Sequence, residues 1–264
     1  MVIESIPRSI GLLYGLVMVG TLAWLWYSGR WKEKIGWLLL GISTVLGFLI
    51  FAPVMPHQFE QLVLRNEPGL DGPLIAGIIG TTISVILVLL FGRFFCGYLC
   101  PVGAVQEIAY HAPIRKLPMH YKTSFMIFRA AFVLLFIALV FLLSTSLLSF
   151  FGIRDFFFLT LSTGAGVFLV IVIIATVFYR PFCRLFCPVG FLFSLFAWKS
   201  VFGLHRTDAC INCKKCEKVC PVDEAGSSDR KAECYLCGRC VEICPMDAIR
   251  YGRGFIKDTS QKEN

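Results

Sequence analysis

Twelve of the chain's 264 residues are cysteine, and every one of them belongs to a regularly spaced run. The runs "CINCKKCEKVCP" at 210–221 and "CYLCGRCVEICP" at 234–245 both read C-x2-C-x2-C-x3-C-P. Three thiols at intervals of three can wrap a loop around one iron-sulfur cube, with backbone N–H groups turned to the sulfides. The fourth, on the following turn, points away towards a neighbouring cube. The spacing therefore assigns Cys210, Cys213, Cys216 and Cys244 to one 4Fe-4S cluster, and Cys234, Cys237, Cys240 and Cys220 to a second. Structural zinc usually sits on two C-x2-C pairs with a longer spacer, not on two runs of four ending in proline. A disulfide framework would be out of place on a cytoplasmic face.

The other four cysteines form two corners, "FFCGYLCPVG" at 94–103 and "PFCRLFCPVG" at 181–190. Cys96 and Cys100, like Cys183 and Cys187, are four apart, so a helix running through them puts both thiols of a pair on one side. Pro101 and Pro188 suit the first turn of a new helix. Each phrase thus predicts a corner, and the four thiols are candidates for a further iron-sulfur cluster or a redox-active thiol pair. The plainer alternative is that they are small buried residues that let helices pack closely.

Something apolar must position these groups. The chain is 57% hydrophobic and 16% charged, with a mean hydropathy of +0.74, which is a membrane-protein composition. Five runs are long enough to cross a bilayer: Ile10 to Tyr27, Ile35 to Phe51, Leu74 to Gly92, Ser124 to Leu147 and Gly164 to Phe178. The first is followed by "SGRWKEK" instead of a small-residue cleavage site, so it is expected to stay attached. The basic residues Arg30, Lys32, Lys34, Arg93, Arg115, Lys116, Lys122, Arg180, Arg184 and Lys199 fall inside if the amino terminus is outside. The net charge of +8 is then a positive inner membrane face and not a nucleic-acid patch.

The predicted fold class is an α-helical membrane protein of about five transmembrane helices, with a C-terminal two-cluster bacterial ferredoxin-like α+β domain. Residues 1–202 form the membrane domain, 203–252 the ferredoxin-like domain and 253–264 a flexible tail. The segments 74–110 and 163–198 repeat each other as apolar helix, arginine, corner and second apolar stretch.

Histidine cannot carry the redox chemistry, since His57, His111, His120 and His205 all lie outside mid-membrane positions. C-x-x-C-H, Walker A, zincin and dinucleotide motifs are absent. His57 and Glu60 make an outer acid-base pair on paper, although an exposed loop histidine is the commoner arrangement. His111 and His120 flank "APIRKLPM" and read as headgroup-facing or partner-facing. Arg129, early in the fourth span, is expected to snorkel to the surface. "DFFFL" at 155–159 reads as lipid-facing or packing surface.

Two C-x3-C-P corners followed by a doubled C-x2-C-x2-C-x3-C-P run resemble the NapH-type membrane ferredoxins, quinol dehydrogenase components that accompany periplasmic nitrate reductase, with relatives in NosR and MauN. The resemblance spans roughly residues 35 to 252. It implies a multi-pass protein of a prokaryotic cytoplasmic membrane with its ferredoxin domain in the cytoplasm, whereas the amino terminus outside follows from the charge pattern. Such a protein moves electrons between the quinol pool and partner redox subunits, a ferredoxin-type protein or multihaem cytochrome. The family typically has four helices, and this chain adds a first one. A metal-reducing or sensor-coupling thiol protein, and an anchor docking a ferredoxin-dependent enzyme, are the competing functions.

Overall fold

The computed structural model describes residues 8–49, 54–64, 74–117, 122–143 and 147–253, so His120 and the predicted tail from 254 lie outside the described residues. The first helices are α1 (Arg8–Tyr27), α2 (Glu33–Leu49), α3 (Val54–Val63) and α4 (Leu74–Phe91). A single π-helical turn, Phe95–Leu99, leads into α5 (Pro101–Tyr110), and α6 (Lys122–Leu143) follows. A 3-10 turn at Leu148–Phe151 precedes α7 (Ile153–Phe157), α8 (Thr163–Ala175), α9 (Pro181–Leu185) and α10 (Pro188–Ala197). Strand β1 (Phe202–Arg206), α11 (Lys215–Val219), α12 (Arg239–Glu242) and β2 (Ile249–Arg253) close the described chain.

Among the described residues two helices are long and apolar enough to cross a membrane, Leu74–Phe91 and Lys122–Leu142, while Leu13–Tyr27, Thr163–Ala175 and Pro188–Ala197 are shorter apolar helices. Only 6% and 22% of the two longer spans are buried inside the structure, so they turn apolar side chains outward instead of forming the core of a water-soluble fold. The inward-facing residues make two cores. One joins Val88, Phe136, Phe168, Phe182 and Phe193 around Cys183 and Cys187. The other joins Leu22, Trp26, Phe94 and Tyr98 of the membrane region to Leu204, Leu236, Ile249 and Tyr251. Each large side chain so buried is worth roughly 1.5–3 kcal/mol, so the second core helps hold the cysteine-rich segment to the helices before it.

The cysteine-rich end is built on one antiparallel ribbon in which Leu204 faces Tyr251 and His205 faces Arg250. The Tyr251 hydroxyl donates to the Phe91 carbonyl at 2.8 Å, tying β2 to the end of α4. Gly47 lets α2 pack close on α5, since a Cβ there would stand 2.4 Å from the Pro101 ring. "DFFFL" is largely packing surface: Phe157 is buried in the first core and Phe156 lies against Phe168, with only Leu159 well exposed.

His57 does not lie in a loop; it falls within α3, and its side chain is outside the described set. Glu60 is fully buried, and its Oε1 accepts from the Leu148 N–H at 2.8 Å. Burial raises its pKa above the usual carboxylate value.

Candidate functional site

The membrane helix does not run through the corner cysteines as the four-residue spacing predicts. In the first corner Gly92 adopts a positive φ of 79°, and Cys96 falls in the π-helical turn. Cys100 is extended, and Pro101 starts α5 as expected. In the second corner Arg180 takes the left-handed conformation, Cys183 falls in α9, and Cys187 caps α10, accepting from the Gly190 N–H at 3.3 Å. The glycine of each "CPVG" is required. A Cβ on Gly103 would stand 2.7 Å from the Cys96 carbonyl oxygen, and one on Gly190 would stand 2.9 Å from that of Cys183.

The two corners face each other. Cys183 and Cys187 are buried in one apolar cluster with Cys96 and Cys100 packed against it. Gln106 Nε2 donates to Cys183 Sγ at 3.4 Å, and its Oε1 accepts from the Phe182 N–H at 3.0 Å. Burial pushes the Cys183 thiol up to about 11 against the pull of Arg180. Burial, with Cys183 and Cys96 beside it, pushes Cys100 up to about 12. A thiolate in this pocket needs a cation, which metal ligation supplies and thiol exchange with solvent does not.

Two arginines cross between the corners. Arg93 and Arg180 each stand three residues before the first cysteine of their own corner and are 0% and 1% exposed. The Arg180 guanidinium donates to the Cys96 carbonyl of the other corner and to that of Gly97 at 2.9 Å. Arg93 lies against Gly190 of the other corner. The Tyr235 ring, between Cys234 and Cys237, sits between both guanidiniums at 4.4 and 4.7 Å. These arginines were expected as part of the repeat and as markers of a positive inner face, not as buried groups crossing between the corners. The missed signal is the shared R-x-x-C spacing of "GRFFC" and "YRPFC".

Arg129 does not snorkel. It is 1% exposed, pairs with Glu233, and donates to Ser194 Oγ at 2.7 Å. An intramembrane charge is costly unless paired, and the carboxylate reaches it from the residue before Cys234. Arg184 Nη1 donates to the Pro221 carbonyl, just beyond Cys220, at 3.3 Å.

The two ferredoxin-like runs repeat in backbone as well as in sequence. Positive φ occurs at Asn212 and Leu236, at Lys214 and Gly238, and at Asp223 and Asp247, the same motif positions in each. Such alternation of right- and left-handed residues turns successive N–H groups inward and suits a sulfide-rich anionic core. One cavity is lined by Cys210, Cys213, Cys216 and Cys244 together, three thiols from one run and one from the other. In the other set, burial and then Cys237 and Cys220 raise the Cys234 thiol to about 12, and Cys240 is raised by burial and by Cys234, Cys237 and Cys220. These four thiols are therefore neighbours. The residues fit cube-shaped clusters.

His111 takes a specific place. Its Nδ1 faces the Glu107 carbonyl at 2.8 Å and its Nε2 accepts from Arg239 at 3.3 Å, which suits a neutral ring protonated on Nδ1. Burial works against the Glu107 charge, but Arg180 and Arg239 hold that carboxyl down to about 2.

A 4Fe-4S binding domain profile matches residues 73–120 and again 161–207, the two corner segments. A second 4Fe-4S binding domain profile matches 205–223 and 230–250. An uncharacterized protein of Methanocaldococcus jannaschii is 33% identical over 205 residues, 70% of this chain and 82% of the relative. Ferredoxin-type protein NapH of Escherichia coli is 27% identical, with 74% of this chain and 69% of the relative covered. Methylamine utilization ferredoxin-type protein MauN of Methylorubrum extorquens is 27% identical, with 78% and 70% covered. No solved structure matches. The chain belongs to the ferredoxin-type 4Fe-4S electron-transfer family that includes NapH, MauN and NosR.

Proposed function

We propose that the chain is an electron-transfer subunit of a prokaryotic cytoplasmic membrane, working between the quinol pool and partner redox proteins. It crosses the bilayer five times, amino terminus outside, and carries its ferredoxin domain (203–252) in the cytoplasm. Cys210, Cys213, Cys216 and Cys244 hold one 4Fe-4S cluster, and Cys234, Cys237, Cys240 and Cys220 hold the second. Cys96, Cys100, Cys183 and Cys187 form a third redox site at the corners. When bound, such clusters accept and release single electrons. The chain's own residues exclude water, supply N–H groups and offset the thiolate charge with buried guanidiniums.

One observation carries this reading. The Arg93 and Arg180 guanidiniums that lie against the two corners also flank Tyr235, which sits between two cysteines of the second ferredoxin run. The corner quartet and the ferredoxin loop therefore share one buried wall. Burial of Cys183 and Cys187 supports ligation over thiol exchange with a soluble partner.

The test is iron and sulfide analysis with electron paramagnetic resonance on the dithionite-reduced protein. About eight irons per chain are expected from the ferredoxin runs and about twelve with the corner site filled. Cys96→Ser with Cys183→Ser should remove the difference. A total of about four irons or fewer overturns the two-cluster reading.

A further inference from the structure

The two ferredoxin runs lead to different places. The second meets the corners, since Tyr235 lies between the Arg93 and Arg180 guanidiniums. The first leads to the surface. Of the twelve cysteines, all of them described, Cys213 alone is exposed.

The surface around Cys213 is apolar. Ile211 is 60% exposed and Met246 is 47% exposed, and Pro245 is exposed beside Met246. All three line the cavity shared by Cys210, Cys213, Cys216 and Cys244. Single exposed apolar residues are ordinary. Three of them on one rim, brought together from both runs around an exposed thiol, form a patch of the kind that marks a contact with another molecule.

The charges on this rim have one sign. The ionisable side chains that line the cavity besides the thiols are Arg206, Lys214 and Lys215, with no carboxylate among them. Arg206 is engaged by Glu217 at 2.6 Å. Lys214 and Lys215 are exposed, as is Lys218 on α11. Asp208 and Asp247 are exposed too, but neither lines the cavity.

We infer that this rim is the docking face for a soluble, acidic redox protein. The inference rests on the electron-transfer function above and adds which run the partner meets and which charge it carries. Ile211, Pro245 and Met246 supply the dry contact, while the lysines beside them draw in an acidic surface. Redox encounters of this kind bury less than about 1,200 Å² in total, so a small rim is enough to seat one. Anionic lipid would also suit the lysines. The one exposed thiol of the chain, at the centre of the rim, favours a redox protein instead.

The probe is a plant-type 2Fe-2S ferredoxin, a small acidic protein, titrated against the full chain in nanodiscs of neutral phosphatidylcholine, with binding read by biolayer interferometry. Saturable binding is expected at low salt, weakening as added salt screens the lysines. Hydrogen exchange should slow on binding over residues 210–216 and 244–247. Lys214→Glu with Lys215→Glu should weaken the affinity about tenfold, and a basic c-type cytochrome should bind that variant better than the parent chain. Met246→Asp should also weaken the ferredoxin complex. Lys199→Glu with Arg230→Glu makes the same change in net charge at two exposed residues off the rim and should leave the affinity unchanged. If the Lys214 and Lys215 reversal fails to fold, Lys214→Gln with Lys215→Gln decides in its place with a smaller loss in the same direction.

Equal losses in the two double reversals would reduce the effect to net charge and overturn the face. Protection elsewhere would overturn it as well. So would labelling of residues 210–216 by a photoreactive phospholipid, which would set the rim against the bilayer. Iron is measured on each preparation. Full iron with unmoved affinities removes the docking face and leaves the electron-transfer function standing, whereas about four irons or fewer with a salt-sensitive footprint on the rim does the reverse.

Discussion

The hydroxyl of Tyr98, inside the first corner, donates to the carbonyl of Leu236, between Cys234 and Cys237, at 2.8 Å. Next to it, a Cβ on Gly97 would stand 2.4 Å from the Tyr235 carbonyl oxygen. The first corner and the second ferredoxin run therefore meet backbone to backbone, and the contact is specified by a glycine and a tyrosine of the same "CGYLC" phrase.

Tyr98→Phe should leave the buried Leu236 carbonyl without its donor and cost about 1–3 kcal/mol. Gly97→Ala should do more harm, because the clash is with backbone that cannot turn aside. Hydrogen exchange over residues 234–240 should rise in the first variant and rise further in the second. Unchanged protection in both would show that the corner does not hold this loop.

The cysteine runs, the corners and their repetition were legible because ligand spacing is short-range and nearly free of context. The helical starts at Pro101 and Pro188 were legible for the same reason, since proline fixes its own backbone. What sequence could not give was which distant charge meets which. Arg93, Arg180 and Arg184 counted together with Lys32 and Lys199 as one inner positive face, and Arg129 was expected to snorkel, yet the four arginines are buried and the two lysines are not. Their partners, such as Glu233 and the Pro221 carbonyl, lie in the cysteine-rich segment, far along the chain. The helix assumed to pass through each corner failed at Gly92 and Arg180, which take the left-handed backbone, a conformation glycine adopts readily but arginine does not.

The arginine pair around Tyr235 should tune a redox potential. A fixed positive charge beside a cluster favours its reduced, more negative form. Arg180→Gln should therefore lower the midpoint potential of the neighbouring centre, by about 60 mV for a tenfold change in a one-electron equilibrium. A spectroscopic redox titration checks this, and a rise in potential would contradict it. Arg180→Lys keeps the charge and should recover most of the loss, although lysine cannot span both carbonyls.

Each corner depends on its last glycine. Gly103→Ala and Gly190→Ala both push a methyl against the carbonyl of the corner's first cysteine, at 2.7 and 2.9 Å. Both should reduce iron at the corner quartet while sparing the eight thiols of the ferredoxin runs. Iron analysis on the two variants checks this, and a full complement in both would show that the corners tolerate the added carbon.

Glu107 offers a pH test with a defined sign. Its folded carboxyl lies at about 2, below its ordinary 4.5, because Arg180 and Arg239 outweigh the cost of burial. The stabilisation is therefore complete above pH 4.5 and is lost as pH falls from there towards 2. Glu107→Gln keeps the shape and removes the charge, leaving two buried guanidiniums short of an anion, a loss of about 3–5 kcal/mol. Denaturant melts of both proteins, followed by tryptophan emission, should differ by that amount at neutral pH. The difference should shrink as pH drops through the window, whereas other acid effects act on both proteins alike. A gap that stays constant down to pH about 2 would mean that Glu107 is not the charge that clamps the arginines.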